Sequence, residues 1–442
     1  MRNNISVTIK NDLCTGCGIC EDVCPTHSIR IECRNGENRP VLNSESCLGD
    51  KCGRCLKVCP GIGCNLAEMA NKFFLNEDSK TDKYIGLFQN LHTGYSLDKE
   101  IRYHSASGGM VSQFLIYLLD KKIIDGAVVT GFSDDNHITP VSYIARTKEE
   151  VLKARSSKYC PVALNKVGNE IKNTEGKYVI VGLPCHIQGF RKRALMDRKF
   201  HEKVVGYFSI YCSSNRTFYA QEFLLKKYDI DKEKVKYFAF RDNGCLGSMV
   251  IDVADKGAEF PTFATNKSSE CRKSKSLISI SYIRYYGALR SFFKPRRCLT
   301  CIDHYGELAD VCFGDIHIKP YSDDEVGISS WIVRNPYFED LFKQAEADGY
   351  IKMSDVGTKM LNESQKAMLY PKQRRARAIM NMDRLIGKKT AVYDKPLEQP
   401  HLKDYVSELI CHCQRFAGHH KCLWPIIDSF YSRSINKNSK LK

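Results

Sequence analysis

The 442-residue sequence predicts an α+β chain in three parts: a small cysteine-rich domain over residues 1–70, a mixed α/β domain over 84–334, and a largely helical region over 335–442. Three observations predict it. Two cysteine runs of nearly equal spacing fall before residue 61, strand-like and helix-like periodicities alternate from residue 84 onward, and the last part of the chain is basic with helical periodicity. A chain of this length exceeds one hydrophobic core. A hydrophobic fraction of 43% lies well above the composition of disordered chains, so the cores can be built.

The N-terminal domain is read from its spacing. Cys14-x2-Cys17-x2-Cys20-x3-Cys24-Pro25 stands in CTGCGICEDVCP, and Cys47-x4-Cys52-x2-Cys55-x3-Cys59-Pro60 in CLGDKCGRCLKVCP. This is the bacterial ferredoxin run, in which the first three cysteines wrap one cubane and the fourth crosses to the other. Two 4Fe-4S clusters follow: Cys14, Cys17, Cys20 and Cys59 for the first, and Cys47, Cys52, Cys55 and Cys24 for the second. Paired zinc sites share the C-x2-C spacing, but three cysteines followed by C-P suit a cubane better. The longer gap after Cys47 departs from the usual pattern. Cys33 and Cys64 are left over, and burial as plain thiols is expected for both.

Met1 to Lys10 (MRNNISVTIK) lacks the apolar core of a secretion signal, and no stretch approaches the roughly 18 apolar residues of a membrane span. A cytoplasmic protein without a membrane span is expected, where 21 cysteines serve as metal ligands rather than disulfides. The net charge of +16, from 67 Lys and Arg against 51 Asp and Glu, suggests nucleic acid at first sight. Each cubane with its four thiolates carries about −2 that this count omits. The remaining surplus is scattered apart from Lys372 to Arg377 (KQRRAR), which a solvated face or an acidic redox partner explains, so no nucleic-acid partner is expected.

The polar segment Asn71 to Lys83 reads as a connector. Beyond it, Gly108 to Lys121 places Val111, Phe114, Leu115, Leu118 and Leu119 on one helical face, and GAVVTG (126–131) reads as a buried strand. Thr147 and Glu150 form a capping box opening the next helix. YVIVG (178–182) and VVGYFSIYC (204–212) read as strands, each followed by a helical segment. Ser105-Ala106-Ser107-Gly108-Gly109 precedes the first helix, a natural place for phosphate because small residues, free amides and the positive dipole end meet there.

Several segments in order, HSASGG, FLIYLLDKKIIDGAVVTG, SSKYCP, VGLPCHIQGFRK, FRDNG and RRCLTCIDHYGELADVCFGD, resemble the beta subunit family of coenzyme F420 hydrogenases and dehydrogenases, from about Tyr84 to Arg334. The resemblance implies an oxidoreductase: an iron-sulfur flavoprotein that passes electrons from reduced ferredoxin, or another redox protein, through 4Fe-4S clusters to FAD. From there they leave as hydride to coenzyme F420 or another small-molecule acceptor. It implies a third cluster at Cys185, Cys212, Cys298 and Cys301, with Cys160 and Cys312 as substitutes. It also implies FAD phosphates held by Ser105, Ser107, Gly108 and Gly109, with Ser156, Ser157 and Lys158 nearby. Asp303 and Asp315 match acidic positions of the family and read as caps and turns. His186, beside Cys185, reads as a satisfied structural histidine, with proton donation near the flavin as the alternative.

The other readings are a non-catalytic electron-relay subunit serving a separate enzyme, and an iron-sulfur sensor or nucleic-acid-binding protein suggested by charge alone. Oligomerisation is left open. Phe338 to Asp348 reads as an amphipathic helix, and Cys411, His412, Cys413, His419, His420 and Cys422 match no zinc spacing.

Overall fold

The computed structural model describes residues 3–253 and 277–438; the remainder of the central domain (254–276) and the last four residues of the C-terminal region lie outside the described residues. At its centre stands an eight-stranded mixed sheet, in the order 351–355, 90–96, 329–333, 311–315, 204–210, 178–182, 126–132, 140–145. The four strands Val311–Asp315, Val204–Ile210, Tyr178–Gly182 and Gly126–Phe132 run parallel to their neighbours, and antiparallel strands flank them on both sides. Parallel strands need helical crossovers, which bury both faces. Alternation along the strands delivers them: Val128 and Ile180 point into one apolar cluster, while Ala127, Val129 and Val179 point into the other.

The strands expected over 126–131, 178–182 and 204–212 are present as Gly126–Phe132, Tyr178–Gly182 and Val204–Ile210. Thr147 caps the helix Lys148–Lys153 with Glu150 as its reciprocal partner. Other elements differ. The expected connector over 71–83 begins as the last turn of the helix Leu66–Phe74 and ends in the strand Lys80–Asp82, because Leu66, Met69, Ala70 and Phe74 bury one face against the sheet. The sheet takes its edge strand from Ile351–Asp355, beyond the boundary placed at 334. Past that strand the chain is largely helical, in Thr358–Leu369, Arg374–Leu385, Leu402–His419 and Trp424–Asn438. A smaller sheet of Tyr237–Asp242, Ser248–Asp252 and Leu277–Ser281 packs with Phe223, Tyr285, Trp424 and Tyr431 in a third cluster.

The cysteine-rich domain packs directly on the sheet. Cys17, Ile19 and Val58 belong to the same buried cluster as Ile180, Ile187 and Phe190. The helix Pro184–Ala194 lies between them, and its basic residues are the fasteners. Arg191 donates to the carbonyl of Leu308 (2.9 Å) and pairs with Asp310 (2.9 Å), and Lys192 donates to the carbonyls of Cys59 (3.1 Å) and Gly63 (2.7 Å). Arg193 pairs with Asp22, both nearly inaccessible at 2% and 0% side-chain exposure. Asn169 completes the network by donating from its backbone to Asp22 Oδ1 (2.9 Å) and accepting from Arg193 (2.9 Å). Burial pulls the Arg193 guanidinium down to about 10, which only an adjacent carboxylate makes tolerable.

Removing one partner of a buried pair strands the other charge. Asp22→Ala is therefore expected to lower stability by about 3–5 kcal/mol, read as an earlier denaturant midpoint, whereas a double change of Asp22 and Arg193 to apolar residues recovers part of the loss.

Candidate functional site

The carboxyl ends of the four parallel strands open onto one cavity of about 300 Å³, lined there by Thr130, Gly182, Ile210 and Asp315. Open α/β sheets bind ligands in this position, outside the carboxyl ends of their strands. Two chain segments leaving those ends carry cysteines. Pro184 opens a helix immediately after Gly182, with Cys185 in its first turn, and Cys212 follows the strand ending at Ile210. The short helix Arg296–Leu299 brings Cys298, and Cys301 follows it. The four form a single electrostatic group: the Cys185 thiol is pushed well above its ordinary range by burial first, then by charge at Cys17, Cys212, Cys301 and Cys298. Burial likewise pushes Cys212 up to about 12, with Cys298 and Cys301 adding to it. Thiols held this high bind a metal cluster only if its positive core offsets their charge.

The N-terminal cysteines form two further groups. Cys20 is raised by burial and by charge at Cys17, Cys14 and Cys59, and Cys24, Cys47, Cys52 and Cys55 line one small cavity together. Backbone amides aim at the sulfurs, as a thiolate ligand requires: Gly16 to Cys14 (3.3 Å), Gly61 to Cys59 (3.3 Å), Ser28 to Cys24 (3.3 Å) and Gly49 to Cys47 (3.4 Å). Cys47, with its irregular spacing, also faces the amide of Asn4 at 3.9 Å. Among the described residues no three His, Cys, Asp or Glu side chains converge as ligands of a single ion would. Cys411 is buried while Cys413 and Cys422 are exposed, so the C-terminal cysteines do not converge. Cys33 is exposed on the strand Ile29–Arg34, against expectation, while Cys64 is buried beside Met69. Cys160 and Cys312 sit fully buried within separate apolar clusters.

Ser105, Ser107, Gly109, Ser156, Ser157 and Lys158 all line the cavity, as does Cys212. Their side chains are largely committed to the protein. Ser105 donates to the Ile101 carbonyl (2.6 Å), Ser107 to the Ile328 carbonyl (2.8 Å), and Ser156 to the Arg241 carbonyl. Lys158 donates to the carbonyls of Ala154 (2.7 Å), Arg155 (2.5 Å) and Ser156 (3.1 Å), and burial lowers it to about 7. These hydroxyls shape the loop, and the free donors are the amides of the first helical turn. The helix starts at Met110, with Gly109 as its N-cap, and Met110, Val111 and Ser112 line the cavity. Gly108 turns away: a Cβ there would stand 2.6 Å from the Gly94 carbonyl oxygen and 2.7 Å from the Ser329 nitrogen.

Residues that the sequence named only as letters of FRDNG hold this loop in place. Arg241 pairs with Asp315 (2.6 Å), donates to the Leu246 carbonyl (3.0 Å) and reaches the Ala106 carbonyl. Asp242 binds His104 Nδ1 (2.7 Å) and accepts from the Tyr237 hydroxyl (2.6 Å). A charged pair inside an otherwise apolar strand, YFAFRD, was the available signal. His186 accepts from the Leu183 amide through Nδ1 (3.2 Å) and donates through Nε2 to the Val162 carbonyl (3.2 Å). Burial depresses it to about 4, so it is neutral with both nitrogens used. Asp303 accepts from Gln188 (2.9 Å) and from the Glu307 amide (3.1 Å), a turn-holding role.

Residues 13–61 match the 4Fe-4S dicluster domain, 91–168 the N-terminal part and 175–359 the C-terminal part of coenzyme F420 hydrogenase/dehydrogenase beta subunits. The chain is 25% identical over 366 residues to coenzyme F420-dependent sulfite reductase of Methanocaldococcus jannaschii, covering 79% of this chain but only 48% of that protein. It therefore spans about half the length of that relative. Coenzyme F420 hydrogenase subunit beta of Methanosarcina barkeri is 24% identical over 337 residues, covering 72% of this chain and 99% of the relative. Among solved structures, a chain of the F420-reducing [NiFe] hydrogenase complex from Methanosarcina barkeri shares the fold, with a TM-score of 0.52 and 19% identity over 71% of this chain and 98% of that one. Among the described residues no helix is long and apolar enough to cross a membrane.

Because Gly108 backs onto two strands, Gly108→Ala is expected to cost about 1–3 kcal/mol through overpacking. Thermal unfolding of the variant checks it, and an unchanged melting temperature would contradict the close contact.

Proposed function

The chain belongs to the coenzyme F420 hydrogenase/dehydrogenase beta subunit family, fused to a 4Fe-4S dicluster domain, and on that premise we propose that it is an iron-sulfur flavoprotein oxidoreductase. It accepts electrons from reduced ferredoxin or a similar donor, carries them along three cubanes, and delivers them with FAD as hydride to coenzyme F420 or another organic acceptor. One observation carries this reading. Cys185 lies within electrostatic reach of Cys17, and Cys212 of the same quartet lines the cavity, so the cysteine groups form a continuous series ending at the cavity wall.

Cys24, Cys47, Cys52 and Cys55 hold the entry cluster, because Leu48 beside them is 51% exposed. Cys14, Cys17, Cys20 and Cys59 hold the next, and Cys185, Cys212, Cys298 and Cys301 the third. FAD, when bound, exchanges electrons singly with a cluster and in pairs with an organic acceptor. The amides of Met110, Val111 and Ser112, at the positive end of an 11-residue helix, would hold its phosphates, with Ser105, Ser107 and Gly109 shaping the approach and Ser156, Ser157 and Lys158 lining the same cavity. Gly108 contributes by letting the loop lie flat on the sheet. The beta-subunit names of the relatives favour a second reading, a relay within a larger complex. Turnover by the isolated chain separates the two.

Anaerobically prepared protein is expected to contain about twelve iron atoms and one FAD per chain, from three cubanes of four irons. Cys298→Ala should retain about eight irons and slow flavin reduction by ferredoxin, and Ser112→Glu should lose FAD while keeping its iron. A wild-type value near eight irons contradicts the third cluster, and flavin-free protein contradicts the cavity assignment.

A further inference from the structure

The basic run KQRRAR is not a solvated face. Arg374 contacts Asp404 (3.6 Å), Arg375 pairs with Glu408 (2.6 Å), and Arg377 donates to the Leu397 carbonyl (2.5 Å). Lys372 goes furthest inward, at 4% exposure, and donates to the carbonyl of Cys301 at 3.4 Å. It arrives from the C-terminal region, on the single turn Tyr370–Lys372 between the helices Thr358–Leu369 and Arg374–Leu385.

We propose that Lys372 is a positioning residue that sets the reduction potential of the third cluster, holding a buried positive charge beside the quartet Cys185, Cys212, Cys298 and Cys301. The proposal rests on the third-cluster reading given above. The Lys372 ammonium is 4% exposed and donates to the backbone carbonyl of Cys301, a member of that quartet, at 3.4 Å. The charge is thus held against the backbone of a segment that would ligate the cubane.

Reduction adds one electron to a cluster, supplied by the ferredoxin-type donor, with no bond formed or broken, and makes the cluster one unit more negative. A fixed cation in a low-dielectric setting stabilises that more negative state, and net charge is among the factors that tune cluster potentials. Lys372 therefore makes the third cluster easier to reduce than its sulfur ligands alone would. No comparable buried ammonium is found at the entry group among the described residues: Cys24, Cys47, Cys52 and Cys55 are lined by Asn4, Pro25, Thr26, Ile29, Leu48 and glycines. The difference favours inward flow, from the exposed entry toward the cavity.

The test is an anaerobic redox titration followed by electron paramagnetic resonance, on the full chain loaded with iron. Iron content comes first: wild-type protein with only two clusters defeats the third-cluster reading itself, before any variant is made. With three clusters present, Lys372→Met and Lys372→Gln should each retain all iron and lower one midpoint. The expected shift is at least a tenfold change in the oxidised-to-reduced ratio at fixed potential, about 59 mV for a one-electron couple. The other two midpoints should stay, and Lys372→Arg should behave like wild type. Unchanged midpoints in either iron-replete neutral variant overturn the proposal. Loss of four irons in both neutral variants, with retention in Lys372→Arg, also overturns it, in favour of a cation needed to hold the cluster.

Discussion

The contact on which the rest depends is that between the helix Pro184–Ala194 and the dicluster domain. At Gly189 a Cβ would lie 2.4 Å from Ile19 Cδ1 and 3.4 Å from the Val58 carbonyl oxygen, so any larger residue there would have to displace the Ile19 side chain. The helix carries Cys185 at its start and faces the domain that carries Cys17 and Cys59. Arg297 reinforces the seam from another direction, donating to the carbonyls of Gly61 (2.9 Å) and Pro60 (3.1 Å) one residue before Cys298. Two cysteine-bearing segments of the third quartet are thus hung on the turn that follows Cys59. The spacing between cysteine groups is fixed by packing rather than by a tether.

A small part of the positive charge lies inside these seams. Arg193 crosses the helix–domain boundary to Asp22, Arg191 ties the same helix to Leu308 and Asp310, Arg241 pins the loop at the cavity, Arg297 grips the cysteine turn, Arg334 donates to the carbonyls of Ile85 (2.9 Å) and Tyr305 (3.1 Å), and Lys372 faces the third quartet. Every one of them is buried. A long cationic side chain can satisfy several carbonyls at once where loops meet, which is why arginine recurs at these junctions. The net charge of +16 is therefore partly an internal scaffold, and it says less about partners than its size suggests.

What the sequence made legible follows from how local each cause is. Cysteine spacing encodes cubane geometry within a dozen residues, and Cys24, Cys47, Cys52 and Cys55 line one small cavity. Strands with an unbroken apolar run, such as YVIVG, could be read because both of their faces are buried. The third quartet came from three distant segments and was visible only through a family likeness, since no local pattern joins Cys212 to Cys298. Less local causes were missed. The helix over 66–74 was hidden by its polar outer face, and the edge strand 351–355 by a sequence, IKMSD, that buries little beyond Ile351. Gly108 carried the phosphate expectation by its place in SASGG, yet its constraint comes from strands 90–96 and 329–333, far away in the chain. Lys372 looked like surface charge because burial of a lysine beside sulfur depends wholly on tertiary structure.

The account stands or falls on whether three iron centres lie in series toward one cavity. Anomalous scattering at the iron edge, from crystals grown anaerobically with iron and sulfide intact, measures this directly. Three iron sites are predicted: one within each N-terminal quartet, and one enclosed by Cys185, Cys212, Cys298 and Cys301 at the carboxyl ends of the sheet. Iron confined to the N-terminal domain, with those four sulfurs packed against protein atoms alone, would contradict it.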